Sequence, residues 1–132
     1  MPTATQLNLK LQNEPGTLAR LSRDLANLGI NLLALSAPDS SSETGPIRLL
    51  VANPELARVK MAQAGYEFSV EEVLFIEIKN RPGALAKAME KLAQANIDVK
   101  YAYATAFTGA RKTAAVVAVD ENDLPQARKL LG

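Results

Sequence analysis

Two stretches of this 132-residue chain carry residue types that could hold a small ligand, and they are nearly the same stretch. Residues 13–32 read NEPGTLARLSRDLANLGINL and residues 80–99 read NRPGALAKAMEKLAQANIDV. At an offset of 67, eight of the twenty positions are identical; ordinary residue frequencies give roughly one or two. Each copy contains N-x-P-G-x-L. The first runs through Asn13, Pro15, Gly16, Thr17 and Leu18, the second through Asn80, Pro82, Gly83, Ala84 and Leu85. The chemistry this suggests is recognition rather than bond-making. A loop that opens a helix aims free backbone N–H groups outward, and the helix dipole there favours negative charge. Gly16 and Gly83 have no side chain, so a ligand can approach the backbone closely. A carboxylate fits such a place as a phosphate does. The alternative is a well-made strand-to-helix turn that serves only the fold.

Other chemistries lack their residues. The chain has no cysteine and no histidine, which removes disulfides, thiolates, the commonest general base and the commonest metal ligand. Ser40, Ser41 and Ser42 therefore have no evident base to activate them and read as a solvated loop. Glu71 and Glu72 are adjacent in a strand and should face opposite ways, which does not suit a catalytic carboxylate pair. Asp120 to Asp123 is acidic but lacks the glycine and the closing glutamate of a calcium loop. No nucleotide-binding glycine motif and no aromatic RNA-binding signature is present. The net charge is +1 without long runs of one sign, so nucleic acid binding lacks its electrostatic footprint. No apolar run reaches membrane-spanning length, and MPTATQLNLK has no secretory pattern. These absences predict a cytoplasmic protein that is not an enzyme, with no metal, cofactor, nucleic acid or membrane partner.

The elements around each motif repeat as well. QLNLKLQ alternates, with Leu7, Leu9 and Leu11 on one face of a predicted strand and Asn8 and Lys10 on the other. In VLFIEIK the matching face carries Leu74, Ile76 and Ile78, while Phe75 replaces Asn8; this less polar face reads as a contact surface between modules. A helix follows in each copy, with Pro15 and Pro82 suited to its first position and Leu18, Leu21, Leu25 and Leu28, or Leu85, Met89 and Leu92, as its apolar stripe. Gly29 and Asn96 align as left-handed helix stops. Strands INLLALSA and IDVKYAYATAF come next. A long serine-rich turn, residues 38–46, is expected to be mobile and without core contacts; in the second copy Thr108-Gly109 is the expected hairpin turn. Strands IRLLVA and TAAVVAV lead to second helices capped by Asn53 and Asp120, and YEFSVEE runs into the first strand of the second copy.

Each unit thus reads β-α-β-β-α-β, the ferredoxin-like arrangement of an α+β fold. The expected modules are residues 1–70 and 71–132. The second lacks its fourth strand, because Gly65 aligns with Gly132. Either the chain is truncated or something else covers the edge this leaves. Modules of this size are marginal alone, so a homodimer or larger assembly is expected. Tyr101 and Tyr103 share a strand face and fit plain packing better than ligand contact.

NEPGTL and NRPGAL at the first turn, then GIN and NID before the second strand, make the chain resemble tandem ACT domain proteins over nearly its whole length. The resemblance implies a small regulatory module that binds an amino acid or related metabolite between two such domains and acts on a regulated enzyme or other partner. Similarity to the serine-sensing ACT domain of phosphoglycerate dehydrogenases implies that Asn13 and Asn80 hold the ligand, with Asn31 and Asp98 reaching across from the neighbouring domain. Two departures stand out. Leu11 and Ile78 occupy positions where serine-sensing members carry histidine, which points away from serine. Asp98 replaces the asparagine of the first copy; it suits an ammonium group and repels a carboxylate, so the two sites need not be equivalent. A ligand-free assembly module and a small ferredoxin-like enzyme are the competing functions.

Overall fold

The computed structural model describes residues 3–39 and 46–132. Its elements run β1 (Thr3–Leu9), α1 (Thr17–Asn27), β2 (Leu32–Ser36), β3 (Ile47–Val51), α2 (Pro54–Gln63), β4 (Phe68–Lys79), α3 (Ala84–Gln94), β5 (Tyr101–Thr105), β6 (Lys112–Ala118) and α4 (Leu124–Leu131). The order is that of two βαββα units in succession, the α+β arrangement that the spacing predicts. Residues 40–45 of the serine-rich turn lie outside the described residues, and with them the expectation of mobility there.

The chain divides into two compact units, Thr5–Glu71 and Glu72–Gly132, the latter joined by the chain's first residues up to Ala4. In the first, the hydrogen-bonded strand order is β2-β3-β1-β4. β1 and β3 are antiparallel with Leu7 opposite Leu49 and Leu9 opposite Ile47; β2 joins β3 with a shift in register between Leu32 and Ala34. Leu7 and Leu9 are fully buried and pack with Leu21 and Leu25 of α1 and Ala57 and Met61 of α2. The i, i+4 spacing of Leu21 and Leu25 is what turns one stripe of α1 to the sheet. Gln6 is also fully buried, against the expected polar face. It donates to Asn8 Oδ1 at 2.8 Å, and Asn8 donates to Glu71 Oε1 at 3.1 Å, so the buried amides are satisfied along the row.

In the second unit the order is β4-β6-β5, with Leu74 opposite Val117 and Tyr103 opposite Val116. Leu74, Ile76, Leu92, Ile97, Val117 and Ala127 form its core. Tyr101 and Tyr103 are half-buried. Thr3 and Ala4 belong to this unit, and β1 is the hydrogen-bonded neighbour of β4. The edge of β4 on the side away from β6 is thus met in this unit by the first residues of β1.

Four local expectations shift. Pro15 and Pro82 stand one residue before the helix caps, not at the first helical position, for the reason given below. Asp120 does not cap α4: its Oδ1 accepts from Asn122 N–H at 2.9 Å and its carbonyl from Asp123 N–H at 2.9 Å. That turn delays the helix to Leu124, with Pro125 in its first turn. β5 starts at Tyr101, four residues after Ile97, and Leu85 is 43% exposed instead of joining the apolar stripe of α3. Elsewhere the local chemistry acts as the residue types imply. Asn53 accepts from Leu56 N–H at 3.2 Å, and Gly29 (φ 73) and Asn96 (φ 59) close α1 and α3 in the left-handed region.

Candidate functional site

The two N-x-P-G segments fold into the same turn. In Glu14-Pro15-Gly16-Thr17, the Thr17 N–H donates to Glu14 O at 2.9 Å. Gly16 has φ 90 and ψ −14. In Arg81-Pro82-Gly83-Ala84, the Ala84 N–H donates to Arg81 O at 3.3 Å, and Gly83 has φ 87 and ψ −11. Proline second, glycine third with positive φ, and the closing bond define a type II turn. Proline therefore supplies the fixed φ of the turn's second residue, which places it ahead of the helix, and glycine becomes the N-cap. A Cβ on Gly16 or Gly83 would meet nothing within 4 Å. The turn itself requires glycine through its backbone angle, while the space above it is open.

Neither helix has a side-chain cap. In α1 the Thr17 N–H is taken by the turn and the Arg20 N–H by Gly16 O at 3.0 Å. The N–H groups of Leu18 and Ala19 are the donors that helix geometry leaves over; Leu85 and Ala86 hold the same positions in α3. Pro15, Gly16, Pro82 and Gly83 are exposed, Leu18 and Ala84 half-buried. Thr17 is 7% exposed. Its hydroxyl donates to Gln12 O at 3.0 Å and accepts from Glu14 N–H at 3.2 Å, so this side chain is spent on the turn. Ala84 has no counterpart to either bond.

Both asparagines tie the turn to the hairpin loop of their own unit. Asn13 Nδ2 donates to Pro38 O at 3.2 Å. Asn80 Nδ2 donates to Ala110 O at 2.8 Å and Phe107 O at 3.3 Å, and the Phe107 ring is 87% exposed. The carbonyl Oδ1 atoms have no hydrogen-bond donor among the described residues. Each amide thus serves the fold through its Nδ2. The carbonyls of Pro38, Phe107 and Ala110 belong to this arrangement, and loop composition alone gives no sign of it.

Asn31 and Asp98 are exposed. Asn31 O accepts from Ala52 N–H at 3.0 Å. Each lies beyond the far end of its unit's first helix; α1 and α3 have eleven residues each, about 16 Å. No unit brings its own Asn31 or Asp98 to its own turn.

Among the described residues no group of three metal-ligating side chains occurs, and no helix is long and apolar enough to cross a membrane.

Comparison with known proteins agrees with this architecture. No curated protein sequence matches the chain. Solved structures do. Protein BT0572 from Bacteroides thetaiotaomicron is 25% identical, with a TM-score of 0.81 over 98% of this chain and 87% of that one. The regulatory subunit of aspartate kinase from Thermus flavus shares the fold at 14% identity and TM-score 0.59, over 99% and 91% of the two chains. The Thermus thermophilus regulatory subunit, in its ligand-free form, does so at 13% and 0.60, over 98% and 91%. The family described as ACT domain pair matches residues 2–130. Two βαββα units, each with an N-x-P-G turn at the start of its first helix, are what that match spans: the chain belongs to the ACT domain pair family.

Proposed function

We propose that the protein is a regulatory sensor that binds an amino acid or related metabolite at the two N-x-P-G turns and has no catalytic step of its own. The observation that carries this reading is the recurrence, at both helix starts, of one turn geometry with an open space above the glycine and an asparagine acceptor beside it. The ligand's carboxylate sits on the N–H groups of Leu18 and Ala19, or Leu85 and Ala86, and its ammonium faces the asparagine Oδ1. Asn31 or Asp98 of another module completes each site, and Asp98 makes the two sites differ in the charge they favour. The assembly is a homodimer or larger, and the partner is an enzyme or other protein that reads the bound state. Such an output requires the ligand to bind two states unequally.

Thermal denaturation against the twenty amino acids tests the reading. At 100 times Kd a ligand adds about 2.7 kcal/mol, several degrees or more for a chain of this size. A flat panel would favour a second reading, a ligand-free assembly module. That reading draws on the same hydrogen bonds: Asn13 and Asn80 already serve the fold, and the glycines are already explained by the turn.

A further inference from the structure

The two N-x-P-G turns share a backbone geometry but not their side chains. At the first position of the turn, Glu14 in one unit becomes Arg81 in the other. A cation there favours a carboxylate at the helix start, where Glu14 repels one. At the fourth position Thr17 becomes Ala84, and the hydroxyl that bonds to the first turn is gone. Leu18 packs against the core of its unit, whereas its counterpart Leu85 leaves 43% of its surface exposed.

The hairpin loop of the second unit adds an aromatic ring. Ala110 N–H donates to Phe107 O at 3.0 Å, and Gly109 between them has φ 88. Asn80 holds this loop by three bonds. Its Nδ2 donates to Phe107 O at 3.3 Å and to Ala110 O at 2.8 Å, and its N–H donates to Arg111 O at 2.9 Å. Phe107 is thus fixed beside the turn through its backbone. Its ring, 87% exposed, is the most exposed large apolar side chain among the described residues. A loop already held in place has little ordering left to undergo on binding, and an aromatic ring offers a large contact area with few rotamers.

An amino acid with its carboxylate on the Leu85 and Ala86 N–H groups and its ammonium at Asn80 Oδ1 has one group left to place, its side chain. The uncharged side chains next to these anchor points are those of Ala84, Leu85 and Phe107, and none has a polar atom. We propose that the turn of the second unit selects an amino acid with a large apolar side chain, and that Leu85 and Phe107 set this preference. The proposal rests on the reading of the N-x-P-G turns as the ligand site and names the class of ligand for one of them.

Isothermal titration of the full chain with leucine, phenylalanine, alanine, serine and aspartate tests it. Each buried methylene should tighten binding about fourfold, so leucine or phenylalanine should bind about tenfold or more tighter than alanine. Phe107→Ala should remove about tenfold of that affinity and leave alanine within about twofold. Phe107→Leu should recover most of the loss. Because the ring is exposed and the carbonyl is kept, Phe107→Ala should melt as the parent does without ligand. Val59→Ala trims an exposed apolar residue on α2 and should leave binding unaltered. Serine or aspartate binding tightest, with leucine and phenylalanine no tighter than alanine, would overturn the proposal and leave the ligand-site reading standing. An unchanged leucine and phenylalanine affinity in Phe107→Ala, or an equal loss for alanine, would overturn it too. So would a fall in the assembly mass of Phe107→Ala by light scattering, which would place the ring between copies of the chain. Binding of none of the five, nor of any other amino acid, would overturn the reading and the proposal together.

Discussion

The Tyr66 hydroxyl and the Asp24 carboxylate form a pair that no local pattern announces, 42 positions apart in the chain. Desolvation first, and then the hydrogen bond to Asp24, push the Tyr66 pKa up from 10.0 to about 12. The fold therefore favours neutral tyrosine. That contribution is complete below about pH 10, where an unfolded tyrosine begins to ionise, and disappears as pH rises towards 12. Tyr66→Phe should cost about 1 kcal/mol near neutrality and should remove this part of the alkaline loss. Urea midpoints of both proteins at pH 7, 10 and 11.5 check it; parallel losses above pH 10 would show that Tyr66 does not titrate as described. Asn80→Ala tests the site. With two hydrogen bonds to the hairpin loop, its loss should lower stability by about 1 kcal/mol even without ligand, and ligand affinity should fall roughly tenfold or more. Stability lost with affinity intact would leave Asn80 as a fold residue only. Asn53 and Gly29 are legible in the sequence because their work is done within a few residues. The amide bonds of Asn13 and Asn80 are not, because their acceptors come from loops 25 to 30 positions away.

Among the elements, the strand-to-helix turns are where the spacing is most nearly sufficient. N-x-P-G names both the turn and the helix that follows it. What it does not distinguish is proline as a helix's first residue from proline in a turn before it; the positive φ of the next glycine decides, and that angle is visible only in the structure. Gly16→Ala and Gly83→Ala should each cost about 1–2 kcal/mol. The cause is backbone angle alone, since a Cβ there meets no atom within 4 Å. Denaturant midpoints measure it, and a cost below about 0.3 kcal/mol would show that the turn can relax. Leucine at these positions carries the same strain, so a lost ligand response in such a variant counts only beside its alanine control. Helix ends show the same split between near and far. The C-terminus of α1 is stopped by Gly29, but its Leu28 carbonyl also accepts from Lys60 Nζ at 2.6 Å, a cation supplied by α2. Lys60→Met should destabilise by about 1 kcal/mol, read from the same midpoints.

At the scale of the whole molecule, the internal repeat makes the order of elements readable. Periodicity marks where strands are, and YEFSVEE joined to VLFIEIK reads as two strands; the chain uses them as one, β4, twelve residues long. β4 begins in one unit and ends in the other, and so does β1. Light scattering across micromolar concentrations should show a dimer or larger assembly. A monomer would remove the oligomer from the proposed function without touching the fold. The two shared strands also set a timetable. Thr3 and Ala4 are made before Glu72, yet they join a unit whose other members start there. The earliest part of β1 must stay unpaired on that side until β4 has left the ribosome. Contacts between such distant positions close slowly. Truncated chains ending near residue 71 should therefore hold their N-terminal residues exposed to protease, and the full chain should protect them only once β4 is complete.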